Sequence, residues 1–339
     1  MMQQAIDRVI KKQDLTEAEM MEVMSVIMEG MATPSQIGGF LTALRMKGET
    51  VDEIIGSAKA MREKALRVDI DKNYAIDTCG TGGDMSNTFN ISTASAFVAA
   101  AAGATVVKHG NRSVSSKCGS ADVLDHLGAY IHLTPEKVKK CVEKLNIGFM
   151  FAPHFHQAMK YAVGPRRELG IRTIFNVLGP LTNPARVQGQ VLGVYDEGLT
   201  EVMAEVLNGL GIDRAMVVHG LDGLDEITIT TRTKVSELKD GEINTYYINP
   251  ERLHIPLASK EKIEGGDAAE NAKIILGILR GDKGAKRDMV LINGGAAIYV
   301  GKQAASLEEG IERAKEVIDT GLALEKLNQF IQLSQGMKQ

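Results

Sequence analysis

The 339-residue chain has no tryptophan, few other aromatic residues and only three cysteines. Aromatic side chains make up 4% of the chain, so the stacking platforms that bind single-stranded nucleic acids are scarce. Cys79, Cys118 and Cys141 are odd in number and show no C-x-x-C spacing, which argues against a disulfide framework and a zinc site. We therefore expect three reduced thiols.

The chain also lacks long hydrophobic runs and a strong charge of either sign. Its most apolar stretch, ASAFVAAAAGATVV, is too short to cross a membrane. The N-terminus, MMQQAIDRVIKKQD, has neither the apolar core nor the cleavage site of a signal peptide. A net charge of −4 argues against a general binder of polyanions. We therefore expect a cytoplasmic protein that binds neither membranes nor nucleic acid.

The first 68 residues have the sequence pattern of helices only. Apolar residues recur at helical spacing, and a poorly capped helix is expected near residues 5–12. Three further helix starts carry capping boxes: Thr16 with Glu19, Thr33 with Gln36, and Thr50 with Glu53. The sequence predicts four helices joined by short loops.

From Tyr74 onward, short apolar segments alternate with helical ones. The candidate strands are YAID, TVVKHG, IGFMFA, QVLGV and AMVVHG, and this alternation predicts a mostly parallel sheet. The tracts ITITTRTKVSEL and NTYYIN suggest an antiparallel insertion. The predicted fold class is α/β, with a small N-terminal all-helical domain and a large α/β domain.

The domain boundaries depend on one segment that interrupts the strand pattern. Residues 153–184 are helical in pattern and rich in proline, so we expect them to return to the helical domain of residues 1–68. The α/β domain would then comprise residues 72–152 and 185–339.

The stretch DTCGTGGD, Asp77 to Asp84, places three glycines in one turn. It is not a dinucleotide-binding fingerprint, because Met85 occupies the third glycine position, and no G-K-[ST] follows as in a Walker A loop. After a strand and before a helix, such a turn aims backbone N–H groups at an anion. The alternative is a tight turn with a helix cap, but one turn rarely needs three glycines.

A second polar loop, KHGNRSVSSKCGS, follows the next predicted strand. It carries the cations Lys108, Arg112 and Lys117 together with four serines. By itself it could be a solvated loop. Two such loops after successive strands favour a ligand with two phosphate ends.

Two charged motifs complete the candidate site. Asp225 and Glu226 in GLDE could bind Mg²⁺ beside a polyphosphate, or could belong to a surface turn. Arg166 in GPRREL is suited to binding a carboxylate, or could be a surface charge.

Two other kinds of site find no support in the sequence. The pair His154 and His156 has no candidate third ligand for zinc. No G-x-S-x-G motif supports a serine hydrolase.

Taken together and in this order, the motifs DTCGTGGD, NIST, KHGNRSVSSKCGS, HQAMK, GPRRELGIRTIFNVLGPLTNPA and GLDE resemble the anthranilate phosphoribosyltransferase family. The resemblance implies a helical and an α/β domain with the site in the cleft between them, and a homodimer formed through the helical domains. It implies transfer of 5-phosphoribosyl from phosphoribosyl pyrophosphate (PRPP) to the amino group of anthranilate, with two Mg²⁺ ions per subunit. No residue is obligatory as acid or base, because the aromatic amine is already unprotonated and positioning dominates.

The resemblance also implies roles for individual residues. Those on PRPP would be Gly80, Thr81, Gly82, Gly83, Asp84, Thr88, Asn90, Ile91, Ser92, Thr93, Lys108, His109, Gly110, Asn111, Arg112, Ser113, Val114, Ser115, Ser116 and Ser120. Those on anthranilate or lining its access tunnel would be Gly80, Asn111, Arg166, His109, His156, Gly179 and Pro180. Ser92 and Glu226 would hold one Mg²⁺, and Asp225 with Glu226 the second.

Two alternatives stay open at the level of sequence. A pyrimidine nucleoside phosphorylase of the same fold would use free phosphate, although Arg166 and GPLTNPA favour the anthranilate interpretation. A non-enzymatic nucleic-acid-binding relative would have a basic surface and a degraded acidic pair, which the net charge and the intact Asp225–Glu226 oppose.

Overall fold

A computed structural model describes residues 1–72, 74–84, 86–113 and 117–338. The chain begins with four helices: α1 (Met2–Ile10), α2 (Glu17–Met28), α3 (Pro34–Lys47) and α4 (Val51–Lys64). At the start of α2, α3 and α4 a threonine hydroxyl accepts the N3 backbone N–H, and the N3 side chain accepts the threonine N–H. The four predicted helices and the three predicted capping boxes are confirmed.

The large part of the molecule is built on a seven-stranded sheet. Its strands are β1 (Ile76–Gly80), β2 (Val106–Gly110), β3 (Ile147–Phe151), β4 (Gly189–Gly193), β5 (Arg214–Gly220), β6 (Thr233–Lys239) and β7 (Glu242–Ile248). The order is β3-β2-β1-β4-β5-β6-β7, with β1 to β5 parallel and β6 and β7 antiparallel. The predicted helical N-terminus and mostly parallel sheet are confirmed. The antiparallel pair extends this sheet at one edge.

Eleven further helices lie within the described residues. They are α5 (Ile91–Ala101), α6 (Ser120–His126), α7 (Pro135–Leu145), α8 (Ala152–Phe155), α9 (Lys160–Leu169), α10 (Phe175–Leu181), α11 (Leu199–Gly209), α12 (Ala268–Leu279), α13 (Ala285–Val300), α14 (Leu307–Asp319) and α15 (Leu322–Gln335). Helix α13 is almost wholly buried and packs against α5, α14, β1 and β4. This helix therefore packs against β1, the strand that precedes the glycine turn.

Helices α8, α9 and α10 interrupt the alternation of strands and helices. Helix α9 packs against α2 and α3, and α10 packs against α4. The backbone N–H of Leu66 donates to Phe155 O at 2.9 Å, and that of Val68 donates to Pro184 O at 3.3 Å. The chain that leaves the first four helices thus runs beside both ends of the returning segment.

Four of the five parallel strands end in glycine at the same edge of the sheet: Gly80, Gly110, Gly193 and Gly220. A Cβ atom at Gly193 would overlap the backbone of Asp225, and one at Gly80 would overlap the Asp225 carboxylate. Strand-terminal glycines therefore let the loop after β5 lie directly on the ends of β1 and β4.

Within the described residues, no helix combines the length and the apolar character needed to span a bilayer.

Candidate active site

The glycine turn follows β1 and uses each glycine differently. Gly80 allows the close approach of Asp225, whereas Gly82 and Gly83 adopt φ angles of 68° and 80°, which side chains disfavour. The Gly82 N–H donates to Asp225 Oδ2 at 2.8 Å. The turn is therefore a shaped backbone surface held against the acidic loop.

Helix α5 begins beside this turn. Asn90 is its N-cap residue, and Ser92 and Thr93 lie in its first turn. Asn90 Nδ2 donates to Cys118 O at 3.1 Å, which ties the start of α5 to the second polar loop. The hydroxyl of Thr93 is buried without a hydrogen-bond partner among the described residues. The positive end of the helix dipole therefore lies next to the glycine turn.

Lys108, on β2, contacts both β1 and the first turn of α5. Its ammonium group is buried and donates to the backbone carbonyl of Thr78 and, at 3.1 Å, to Ser92 Oγ. Its positive charge also lies close enough to counteract the raised pKa of Glu226. A single lysine thus connects β1, α5 and the acidic pair.

The other described residues of the second polar loop make contacts with α6 or within the loop. The Arg112 guanidinium is held by Asp122 at 2.8 Å and Asp125 at 3.0 Å, both on α6. Ser120 Oγ donates to Asn111 O at 3.4 Å. The predicted contacts of Val114, Ser115 and Ser116 lie outside the described residues.

Asp225 and Glu226 lie in the loop between β5 and β6, at the carboxyl edge of the sheet. Burial, and then the negative charge of Asp84, raises the pKa of Asp225. Burial, and then the charge of Asp225, raises the pKa of Glu226, whereas the backbone of Ser92 acts in the opposite direction. Carboxylates that repel one another beside a hydroxyl are suited to a divalent cation.

These acids do not form a complete metal cage. In the described part of the chain, no group of three or more His, Cys, Asp or Glu side chains is arranged to hold a metal ion. Two carboxylates and the Ser92 hydroxyl would leave most of the coordination of Mg²⁺ to substrate oxygens and water.

His109 and His156 face each other behind the polar loops. Each side chain is 8% exposed, and the ring centroids are 5.0 Å apart. Both Nε2 atoms are buried without hydrogen-bond partners among the described residues, and the backbone of Gly179 acts on the pKa of His109 as that of Thr182 does on the pKa of His156. Burial lowers the pKa of His109 to about 3 and that of His156 to about 4.

The low pKa values determine what these two histidines can offer a ligand. Both rings are neutral at pH 7, and a neutral imidazole has one donor and one acceptor nitrogen. The buried Nε2 atoms are therefore available to a polar ligand. The neighbouring Pro180 is fixed by Gln190, whose Nε2 donates to Pro180 O at 2.7 Å.

Arg166 lies on α9 with its guanidinium carbon 4.9 Å from the ring centroid of Phe175. The side chain is half-buried, and this burial lowers its pKa. A cation held against an aromatic face in a partly dry position is suited to bind a carboxylate.

Asn293, which the sequence analysis did not identify, supports the acidic pair from behind. Its Oδ1 accepts the N–H of Ile227 at 3.0 Å, and its Nδ2 donates to Ile227 O at 2.8 Å. Asn293 is buried within α13, and Ile227 directly follows Glu226. A lone asparagine inside the apolar run VLINGGAAIYV was the available signal, but its target lies 66 residues earlier.

The sequence matches two family models that together cover most of the chain. Residues 3–65 match the glycosyl transferase family helical bundle domain, and residues 72–324 match the glycosyl transferase family a/b domain. An anthranilate phosphoribosyltransferase of Alkaliphilus metalliredigens is 71% identical over 338 residues, covering 100% of both chains.

Solved structures agree with this match. The anthranilate phosphoribosyltransferase of Thermus thermophilus superposes with a TM-score of 0.93 at 40% identity, covering 98% of this chain and 99% of that one. The Saccharomyces cerevisiae enzyme in complex with PRPP and Mg superposes with a TM-score of 0.90 at 28% identity, covering 99% of this chain and 98% of that one.

Proposed function

Since the chain belongs to the anthranilate phosphoribosyltransferase family, it transfers the 5-phosphoribosyl group of PRPP to the amino group of anthranilate, and we propose that this reaction takes place at the carboxyl edge of the sheet. The reaction is a step of tryptophan biosynthesis. The observation that carries the proposed location is the joining of the glycine turn, the start of α5 and the acidic pair through Lys108 and the Gly82–Asp225 hydrogen bond.

We propose that PRPP lies along this edge with its pyrophosphate on the glycine turn. Backbone N–H groups, the N-terminus of α5 and the ammonium of Lys108 would stabilise the negative charge that builds on pyrophosphate as it leaves. The unpartnered Thr93 hydroxyl supports a polar ligand at the start of α5. The rest of the predicted PRPP set belongs to the same two loops and is proposed with it.

We propose that Ser92, Asp225 and Glu226 hold Mg²⁺, with two ions per subunit. Bound Mg²⁺ supplies positive charge that neutralises the pyrophosphate leaving group. Without it, two carboxylates would repel a ligand that carries several negative charges. The raised pKa values of both acids support this proposal, because burial and mutual repulsion disfavour two carboxylates here without a cation.

Replacing the acidic pair tests this metal site. The double variant Asp225→Asn with Glu226→Gln should lose most Mg²⁺-dependent turnover and stay folded. Its affinity for PRPP without metal, measured by isothermal titration, should be unchanged or slightly higher because repulsion is removed. Near-normal activity across a Mg²⁺ titration would assign these acids to a surface turn.

We propose that anthranilate binds between the carboxyl edge of the sheet, where PRPP would lie, and the α9–α10 segment. Arg166 would hold its carboxylate, and the unpartnered Nε2 atoms of His109 and His156 would accept hydrogen bonds from its amino group. These bonds would orient the nitrogen lone pair toward C1′. Asn111, Gly179 and Pro180 complete the proposed walls.

The direct test is the loss of anthranilate fluorescence on mixing the protein with PRPP and Mg²⁺. The signal should fall with time, stop on addition of EDTA, and resume with excess Mg²⁺ or Mn²⁺. Thymidine or uridine with phosphate is the matched test of the phosphorylase alternative and should give no free base. Phosphorolysis without loss of anthranilate would reject the proposed reaction.

We further propose that residues 1–68 with 153–184 form one helical domain, that two such domains pair in a homodimer, and that the enzyme works in the cytoplasm. The contacts of α9 and α10 with α2, α3 and α4 support the first point. The large exposed side chains of Ile10, Met31 and Met46 on the helical bundle support the second. Sedimentation equilibrium would measure the oligomeric state.

A further inference from the structure

Arg172 touches the glycine turn from the opposite wall of the site. It lies in the loop between α9 and α10, and its Nη2 donates to Gly83 O at 2.6 Å. A Cβ atom at Gly83 would lie 3.4 Å from the same nitrogen. The segment that carries Arg166 and His156 therefore contacts the turn directly through one guanidinium.

Tyr195 contacts both the Arg172 guanidinium and the glycine turn. The Arg172 guanidinium carbon lies 4.0 Å from the centre of the Tyr195 ring. The Tyr195 backbone N–H donates to Thr81 Oγ1 at 3.1 Å. A closed ring of contacts therefore links two residues of the glycine turn, Thr81 and Gly83, through Arg172 and Tyr195.

This ring of contacts determines how the turn presents its backbone. In a trans peptide the carbonyl and the following N–H point in opposite directions. With the Gly83 carbonyl bound to Arg172, the N–H of Asp84 points away from the guanidinium. Because Gly82 and Gly83 are flexible glycines, a fixed partner for this carbonyl limits the other orientations of the peptide.

The charge of Arg172 is also available to a ligand. Among the ion pairs of the described residues, none includes Arg172, in contrast to Arg112. A guanidinium has five N–H donors, and the bond to Gly83 uses one of them. Stacking on Tyr195 fixes its plane without consuming the other donors.

We propose that Arg172, held by the Tyr195 ring, is a positioning residue that keeps the glycine turn in the conformation that binds the pyrophosphate of PRPP. This inference rests on the proposed function, because it assigns the pyrophosphate to that turn. It adds a contact by which PRPP binding depends on the α9–α10 segment. Anthranilate binding through Arg166 does not depend on it.

The test uses full-length Arg172→Met, Arg172→Lys, Tyr195→Leu and Tyr195→Phe, with Arg167→Met as control. Arg167 is an exposed arginine on α9. Arg172→Met should weaken PRPP binding with Mg²⁺ about ten- to a hundredfold by isothermal titration, the range for a charge-assisted hydrogen bond. The KM for PRPP should rise accordingly, while the KM for anthranilate changes less than about twofold.

The other variants distinguish a positioning role of Arg172 from a general loss of structure. Tyr195→Phe keeps the ring and should match wild type, as should Arg167→Met. Arg172→Lys keeps the charge but not the planar fork and should recover part of the affinity. Because the ring acts through the guanidinium, the double variant Arg172→Met with Tyr195→Leu should bind PRPP no more weakly than Arg172→Met alone.

Three results would overturn the inference: PRPP affinity within twofold of wild type in Arg172→Met, equal losses for PRPP and anthranilate, or additive losses in the double variant. Circular dichroism and thermal unfolding of each variant identify loss of fold. If wild-type protein does not consume anthranilate with PRPP, the proposed function fails instead. Failure of the inference leaves wild-type turnover intact.

Discussion

At the scale of single residues, the proposed anthranilate site is marked by polar groups held in place by their neighbours. Arg166 lies against the ring of Phe175, and the rings of His109 and His156 pack against each other. Both Nε2 atoms are left for a ligand among the described residues. A cation and two polar imidazole nitrogens beside an aromatic ring are suited to an aromatic amine that carries a carboxylate, in agreement with the proposal.

Replacing Arg166 with alanine should weaken anthranilate binding about ten- to a hundredfold, the loss expected for one charge-assisted hydrogen bond of roughly 1.5–3 kcal/mol. Steady-state kinetics should show this as a higher KM for anthranilate. Isothermal titration with PRPP alone is the control and should give nearly wild-type affinity. A parallel collapse of PRPP binding would assign Arg166 to phosphate.

The buried histidines also predict how acid affects stability. The pKa of His156 is about 4 in the folded chain, below its ordinary value of 6.5, so the unfolded chain binds a proton first as pH falls. Stability is therefore present above pH 6.5 and is lost toward pH 4. Between pH 7 and pH 5 this difference should cost about 2 kcal/mol.

Urea unfolding of His156→Gln at pH 7 and pH 5 measures this effect. The variant should lose about 2 kcal/mol less than wild type over this interval, because glutamine does not titrate. His126→Gln, at an exposed position on α6, is the control and should follow the wild-type pH dependence. Identical pH dependence in all three proteins would contradict a neutral buried His156.

At the scale of elements, α13 does more than fill the core. Its Asn293 pairs with both backbone polar groups of Ile227 and also donates to Met289 O at 2.9 Å. The loop that carries Asp225 and Glu226 is the connection between β5 and β6, residues 221–232, which lies outside the strands. We therefore expect α13 to fix the position of the acidic pair.

The variant Asn293→Leu should raise the Mg²⁺ concentration for half-maximal activity by about fivefold, the factor that corresponds to roughly 1 kcal/mol of lost preorganisation. Ser334→Ala is the matched control, since Ser334 is a buried residue of α15 whose hydroxyl also serves backbone groups. Both variants should lose stability, but only Asn293→Leu should shift the Mg²⁺ titration. An equal shift in both would point to a general loss of packing.

At the scale of the whole molecule, Arg62 joins the first four helices both to the segment of residues 153–184 and to the α/β part. From α4, its Nε donates to Leu181 O at 2.7 Å, at the end of α10, and its Nη1 donates to Leu210 O at 3.4 Å, after α11. Burial, and then the charge of Arg186, lowers its pKa to about 10, so the guanidinium stays charged at neutral pH. One cation therefore meets the negative ends of two helix dipoles.

Arg62→Met should lower the free energy of unfolding by about 1–3 kcal/mol, because two carbonyl groups at the junction lose their donor. Urea unfolding monitored by circular dichroism measures the change. Arg45→Met is the control, because Arg45 is exposed and its ion pair with Glu49 spans 3.8 Å. That variant should stay within about 0.5 kcal/mol of wild type.

The features that depend on neighbouring residues could be predicted before the fold was known. Capping boxes at Thr16, Thr33 and Thr50 act over three residues, so their helices could be placed from the sequence alone. Alternation of short apolar strands with helices is also a local pattern, and it predicted the mostly parallel sheet. The glycine turn was recognisable because positive φ angles leave glycine as the favoured residue.

Contacts between distant residues, in contrast, depend on how the elements pack. Arg172 reaches Gly83 across 89 positions, and Asn293 reaches Ile227 across 66. Neither pairing leaves a periodic pattern, because each depends on how separate elements pack rather than on the spacing of nearby side chains. Likewise, only the packed chain shows that Arg112 pairs with acids of α6 while Lys108 enters the site. Hydrogen bonds of this kind require the folded backbone to bring donor and acceptor within about 3 Å, a condition that the order of residues does not encode locally.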